Sequence, residues 1–180
     1  LPEAPDVTAR TVRPLITALA LAFLLTACAT YRMEEAQHLA EEELAVLNMS
    51  FPRLLPEIFV THIDCVSPGF TSPKSFQLLP GWRAITLQGN PDLGMAPHPK
   101  TYIVRVEPGR SYTYYPAPDN STNTWLLAFV DDAADRRIQA GVMPAAMNLL
   151  TGARPNPEAC ELAAELNRTG ARELPDHVRR

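Results

Sequence analysis

Apolar residues are arranged in three ways along the chain: one unbroken run near its start, helical repeats in two segments, and short alternating stretches between these. The run is Leu15 to Ala27, 13 residues. A membrane-spanning helix needs roughly 20, so the run is too short to cross. From Met33 to Leu47, Ala36, Leu39, Ala40, Leu44 and Leu47 fall at helical spacing, with Glu34, Glu35, Glu41, Glu42 and Glu43 between them. This predicts an amphipathic helix, whose apolar stripe packs on its own domain or is offered to a partner. Its glutamates suit an anionic membrane surface poorly.

Between Ile58 and Asp132 the period shortens to that of strands. "IFVTHID", "SFQLLPGWRAITLQG", "TYIVRVEPGRSYTYY" and "TWLLAFVDD" are rich in Val, Ile, Thr and aromatics and are separated by Pro, Gly, Asn and Ser. Tyr102, Val104 and Val106 alternate with Arg105 and Glu107, which turns one face inward. Pro80-Gly81 and Pro108-Gly109 each suit the centre of a type II turn that bends one strand into the next. From Ala133 the pattern is helical again. Asn156 as N-cap, Pro157 at the first position, the stripe Ala159, Leu162, Ala163 and Leu166, and Gly170 as stop define one helix. "MPAAMNLLTG" before it reads as a further helical turn, and "ARELPDHVRR" after it as a frayed end. The expected fold is mainly β: a small antiparallel β-sandwich over residues 57–132, flanked by an N-terminal helix within 28–56 and a helical C-terminal segment over 133–180.

The short apolar run has the flanks of an export signal. Arg10 and Arg13 precede it and the small residues Thr26 and Ala27 close it. Leu25-Thr26-Ala27-Cys28 resembles the lipobox of bacterial lipoproteins. The resemblance implies cleavage before Cys28, acylation of its thiol, and anchorage by two or three acyl chains at about 0.8 kcal/mol per buried CH₂. Ala29, rather than Asp, after the cysteine implies outer-membrane delivery, with the domain facing the periplasm or the cell surface. The competing reading is a buried core helix ending in an ordinary cysteine. The opening Leu1-Pro2-Glu3-Ala4-Pro5-Asp6 is read as a mis-set start or a fragment boundary.

A second resemblance lies in "HIDCVSPGFTSPKSFQLLPGWRAITLQ", which looks like the core of PEGA-type modules of bacterial envelope proteins. A strand ends at Ile63-Asp64, a turn with Thr71 and Pro73 follows, then a strand, Pro80-Gly81 and a return strand. Such modules are small β-sandwiches without catalytic residues. The stretch departs from them at Cys65, where the family tends to have Gly, and the Pro-Glu-Gly-Ala stretch is missing.

Composition narrows the function further. Residues 1–27 carry Glu3 and Asp6 against Arg10 and Arg13, so the net charge of -4 is unchanged by their removal. Lys74 and Lys100 are the sole lysines and no basic run reaches five, so nucleic acid is not an expected partner. Only Pro2, Pro5 and Pro14 of the 18 prolines precede Cys28, so the remaining chain is rich in turns. His38, His62, His98 and His177 show no metal-ligand spacing, and no cofactor is expected. On a strand His62 and Asp64 would share one face and Cys65 would point to the other, which argues against a Cys/His/Asp catalytic set. With Cys28 acylated, Cys65 and Cys160 remain, and an oxidising compartment would bridge them or leave two buried thiols. Trp82, Tyr114 and Tyr115, within a wider aromatic set, offer a binding surface for sugars or peptides or else pack in the core. Tyr114 and Tyr115 are adjacent, so one ring of the two is expected to be partly exposed. The function expected is a non-enzymatic, lipid-anchored envelope protein that binds an envelope protein or glycan. The alternative is a lipid-anchored hydrolase with a dispersed site.

Overall fold

The computed structural model describes residues 30–49, 58–69, 73–89, 98–119, 124–148 and 152–179. Residues 1–27, read above as an export signal, and Cys28 and Thr71 lie outside them. The described chain is mainly β, with strands β1 (Thr30–Arg32), β2 (Ala45–Met49), β3 (Ile58–Ile63), β4 (Ser75–Leu78), β5 (Gly81–Gly89), β6 (Lys100–Val106), β7 (Ser111–Asp119), β8 (Thr124–Asp131), β9 (Arg136–Ile138), β10 (Ala140–Pro144), β11 (Ala146–Asn148) and β12 (Gly152–Arg154), then helix α1 (Pro157–Thr169).

The strands form a six-stranded sheet in the order β1-β4-β2-β7-β8-β9, a four-stranded sheet in the order β10-β6-β5-β3, and the pair β11-β12. One apolar cluster draws on both larger sheets, with Leu47, Phe76, Tyr114 and Phe129 from the first and Ile58, Ile85, Tyr102 and Val104 from the second. A separate cluster joins Trp82, Ala84 and Ile103 to Ala159, Ala163 and Leu166 of α1. Burial along β5 and β6 is therefore nearly continuous, as expected of strands covered on both faces.

Both Pro-Gly corners lie where the sequence placed them, but neither closes a hairpin. β4 belongs to the larger sheet and β5 to the smaller, and β6 and β7 are divided the same way in reverse. Each corner thus carries the chain from one sheet to the other. Gly81 has φ +111° and Gly109 φ +66°, conformations that a Cβ opposes. Pro116 and Pro118 remove donors from β7, yet β2 pairs only with Ser111 to Tyr114. The prolines fall on the stretch that, among the described residues, pairs with β8 and no other strand, where strand proline is tolerated.

Three expectations are corrected. The N-terminal helix over Met33–Leu47 is absent: 3-10 turns at Glu34–Ala36 and Glu41–Glu43 are followed by β2. The guanidinium of Arg32 donates to the carbonyls of Ala36 and Leu39, and the Ala40 N–H goes to the Glu43 carboxylate at 2.8 Å. The ladder that a helix would run from Ala36 to Ala40 is replaced by these bonds, and Leu44, Ala45 and Leu47 are buried in the sheet instead. Of the stretch 143–152, the described residues 143–148 and 152 are likewise not helical, since β10 takes its register from β6 and β11 pairs with β12; residues 149–151 lie outside the described ones. The C-terminal end is not frayed: Leu174 and Val178 are buried against α1 and β6, and Gly141 bridges Arg179.

Two boundaries also move. β1, β2, β9 and β10 extend the sheets beyond residues 57–132 on both sides. Pairing is mostly antiparallel, but β1 with β4 and β2 with β7 are parallel.

Candidate functional site

The two cysteines expected to pair do come together. Cys65 follows β3 and Cys160 lies on α1; their sulfurs stand at disulfide distance, 2.07 Å, with Cα atoms 6.0 Å apart. Cys65 is the second centre of a two-residue turn, Asp64-Cys65, in which Ile63 and Val66 exchange N–H···O bonds of 2.9 Å. Both central residues have positive φ, +49° and +66°, as a type I′ turn requires. Glycine is the residue such a position favours, and here Cys65 adopts that backbone.

Asp64 is held on all sides. Its carboxylate accepts from the Ala84 N–H at 2.9 Å and pairs with Arg83 at 2.7 Å, and its own N–H donates to Ala84. The Arg83 guanidinium also donates to the Pro80 carbonyl. His62 sits 3.2 Å from the Thr61 hydroxyl, and partial burial lowers its pKa. Asp64 and Cys65 are therefore committed to a turn, an ion pair and a sulfur–sulfur contact, while His62 keeps only its neighbour Thr61 as a partner among the described residues.

The aromatic surface does not form as expected. Trp82 is 3 % exposed under α1, with its indole N–H on the Ala171 carbonyl at 2.7 Å. Tyr114 is fully buried in the cluster between the sheets, where its ring meets Phe129. Tyr115, its neighbour, is half-buried. Trp82 and Tyr114 belong to different clusters because β5 of the smaller sheet turns Trp82 toward α1, while β7 of the larger sheet turns Tyr114 toward the cluster that draws on both sheets.

The feature that sequence reasoning missed is a cavity of about 270 Å³ at the end of the sheets where both Pro-Gly corners pass. Arg105 on β6, Arg136 and Arg137 on β9, and Arg172 after α1 line it, over the edges of Trp82 and Tyr112. Strand register gathers them: Trp82 is opposite Arg105, Tyr112 opposite Asp131, and Asp131 opposite Arg136. The acids in the wall are Glu107 and Asp131. Asp131 is already neutralised, accepting from the Ala133 and Ala134 N–H groups and pairing with Arg110 at 3.6 Å. Glu107 reaches Arg105 only at 3.9 Å, with both side chains about half exposed. Among the described residues, Arg136, Arg137 and Arg172 have no ion-pair partner.

The Tyr112 hydroxyl accepts the Glu107 N–H at 2.9 Å. Burial raises its pKa, with that hydrogen bond opposing, so it stays protonated and keeps a hydrogen to donate. Only the adjacent pair Arg136-Arg137 is visible as a local signal in the sequence; Arg105 and Arg172 join it through folding.

A second cavity, about 330 Å³, is lined by Tyr31, Met33, Glu34, Ile63, Val66 and Leu79 among others. Burial and the charges of Glu35, Glu34 and Asp64 raise the Tyr31 pKa. Among the described residues, no three His, Cys, Asp or Glu side chains converge as a metal site, and no helix is long and apolar enough to cross a membrane. Comparison with protein-family models, with curated proteins and with solved structures gave no match.

Proposed function

We propose that this chain is a lipid-anchored protein of the bacterial outer membrane, facing the periplasm or cell surface, whose β domain binds another envelope component, protein or glycan. The observation that carries the reading is the Cys65–Cys160 contact at disulfide distance. Paired thiols persist in oxidising compartments and are kept reduced in the cytosol, so the pair supports export and agrees with the lipobox at Leu25 to Cys28. The two sheets around one apolar cluster are read as a β-sandwich of the general kind found in PEGA-type modules.

Binding is preferred to catalysis because Asp64 and Cys65 of the His62/Asp64/Cys65 grouping are taken up by structural contacts, which leaves His62 without an acid or thiol to work with there. Neither His62 nor His98 lines the arginine cavity. The anchor has a geometric consequence. In sequence Ala29 alone stands between Cys28 and Thr30 of β1, a reach of at most about 7 Å, so acylation of Cys28 would hold the domain against the bilayer.

Cys28→Ala tests the reading. The variant is expected to take up no labelled palmitate and to leave the membrane fraction or persist as a longer species. A variant that still fractionates as acylated membrane protein at wild-type size would sink it.

A further inference from the structure

We propose that the cavity between Arg105, Arg136, Arg137 and Arg172 is a binding site for a small oxyanion-bearing molecule, a carboxylate or phosphate group on a ligand of monosaccharide size. This deepens the binding reading above, naming the ligand chemistry, and it does not depend on acylation of Cys28.

The charge balance comes first. The chain as a whole is acidic, at -4, yet this cavity collects four guanidinium groups against two carboxylates. One of the two, Asp131, is spent on Arg110 from outside the lining and on two backbone N–H groups. The other, Glu107, stands 3.9 Å from Arg105, so Arg136, Arg137 and Arg172 line the cavity with no ion-pair partner among the described residues, and guanidinium is the group whose planar fork matches carboxylate and phosphate bidentately.

Backbone order makes this a site rather than a group of loose side chains. Arg136 and Arg137 are fixed by the β8–β9 ladder, and Arg105 by the β5–β6 ladder. Arg172 follows Ala171, whose carbonyl holds the buried Trp82 indole and whose N–H donates to Leu166 at the end of α1. Part of the ordering cost of binding is thereby met before a ligand arrives.

Size and polarity set the ligand. A volume of about 270 Å³ falls just below the usual range of ligand cavities, which run from roughly 300 Å³ upward. It admits a sugar-sized molecule and not a drug-sized one. The Tyr112 hydroxyl and the Gln139 side chain add neutral hydrogen-bonding groups, suited to the hydroxyls such a ligand carries. An arginine-to-phosphate contact and an arginine-to-carboxylate contact share this chemistry, so the probe must separate them.

The test uses the ¹⁵N-labelled full chain in neutral detergent micelles, following the Trp82 indole N–H and the arginine Nε–H signals by NMR. Glucuronate, glucose 6-phosphate and uncharged glucose are titrated at low and at physiological salt. Saturable shifts are expected with one or both anions, weakening as salt rises, and none with glucose; the tighter anion identifies carboxylate or phosphate as the recognised group. Arg136→Gln and Arg172→Gln are each expected to weaken binding about tenfold or more. Both residues are exposed, so the variants should keep the wild-type fold, visible in unchanged spectra elsewhere. Arg168→Gln, on an arginine engaged with Glu165 away from the cavity, is expected to bind as wild type. Equal shifts with glucose, no shift with either anion at millimolar concentrations, or equal weakening by Arg168→Gln would each overturn the site. Anion binding retained in Cys28→Ala, with membrane anchorage lost, separates this site from the anchor; anchorage without anion binding rejects the site and leaves the anchor standing.

Discussion

Tyr114 carries a hydroxyl into the apolar cluster between the sheets, where it is fully buried and finds no hydrogen-bond partner among the described residues. A buried donor without a partner costs about 1–3 kcal/mol, and burial raises its pKa strongly, so it cannot escape by ionising. Tyr114→Phe is therefore expected to raise stability, by up to that amount, in chemical denaturation of the purified protein. A loss of more than about 1 kcal/mol would show that the hydroxyl has a partner. His62 gives a pH signature. Burial lowers its pKa below the ordinary 6.5, so the unfolded chain takes up its proton first. The neutral His62 contribution is thus complete above about pH 6.5 and is lost as pH falls through that value toward the lower folded one. Denaturation midpoints measured from pH 7.5 to 5 should fall less steeply in His62→Gln. Parallel curves would remove His62 as the cause.

At the scale of elements, the corners and the helix caps are where sequence and structure agree most closely. Asn156 accepts the Ala159 N–H at 3.2 Å, Pro157 starts α1, and Gly170 ends it at φ +67°. These signals are local, and nothing distant is needed to satisfy them. Gly81 was legible as a turn residue, but its second constraint was not. A Cβ there would stand 2.5 Å from the Asn167 side-chain oxygen. That same Asn167 amide accepts the Trp82 N–H at 2.7 Å and donates to the Trp82 carbonyl at 2.8 Å. Gly81→Ala should therefore destabilise more than Gly109→Ala, whose Cβ would meet only the Glu42 carbonyl at 3.1 Å. Thermal melts of the two variants check this: about 2 kcal/mol or more for Gly81, combining left-handed strain with a displaced hydrogen-bond pair, and about 1 kcal/mol for Gly109. Equal losses would mean that Asn167 moves aside freely.

For the whole molecule, the Cys65–Cys160 link joins the edge of the smaller sheet to α1 across 95 residues. The chain-entropy account gives roughly 4–5 kcal/mol for a loop of this length. Cys160→Ser is expected to lower stability by about 2–5 kcal/mol and to speed hydrogen exchange in α1 before it affects β5 and β6, which keep their ladders. Mass measurement with and without reductant before alkylation should show two masked thiols in the wild type. Two free thiols in protein recovered from an oxidising compartment would refute the link.

What the sequence by itself determined were the features written in neighbouring residues: the strand-rich centre, the Pro-Gly corners, and both ends of α1. The segment Met33–Leu47 shows the limit. Its helical spacing is real, but the edge-free position of β2 between β4 and β7 gives Leu47 a buried place and its backbone two partner strands, which outweighs a local periodicity. The sheet order, the separation of Trp82 and Tyr114 into different clusters, and the convergence of Arg105, Arg136, Arg137 and Arg172 on one cavity were decided by tertiary structure alone. Apart from the adjacent Arg136 and Arg137, those residues lie tens of positions apart, and only strand register and the docking of the chain after α1 bring them into one cavity wall.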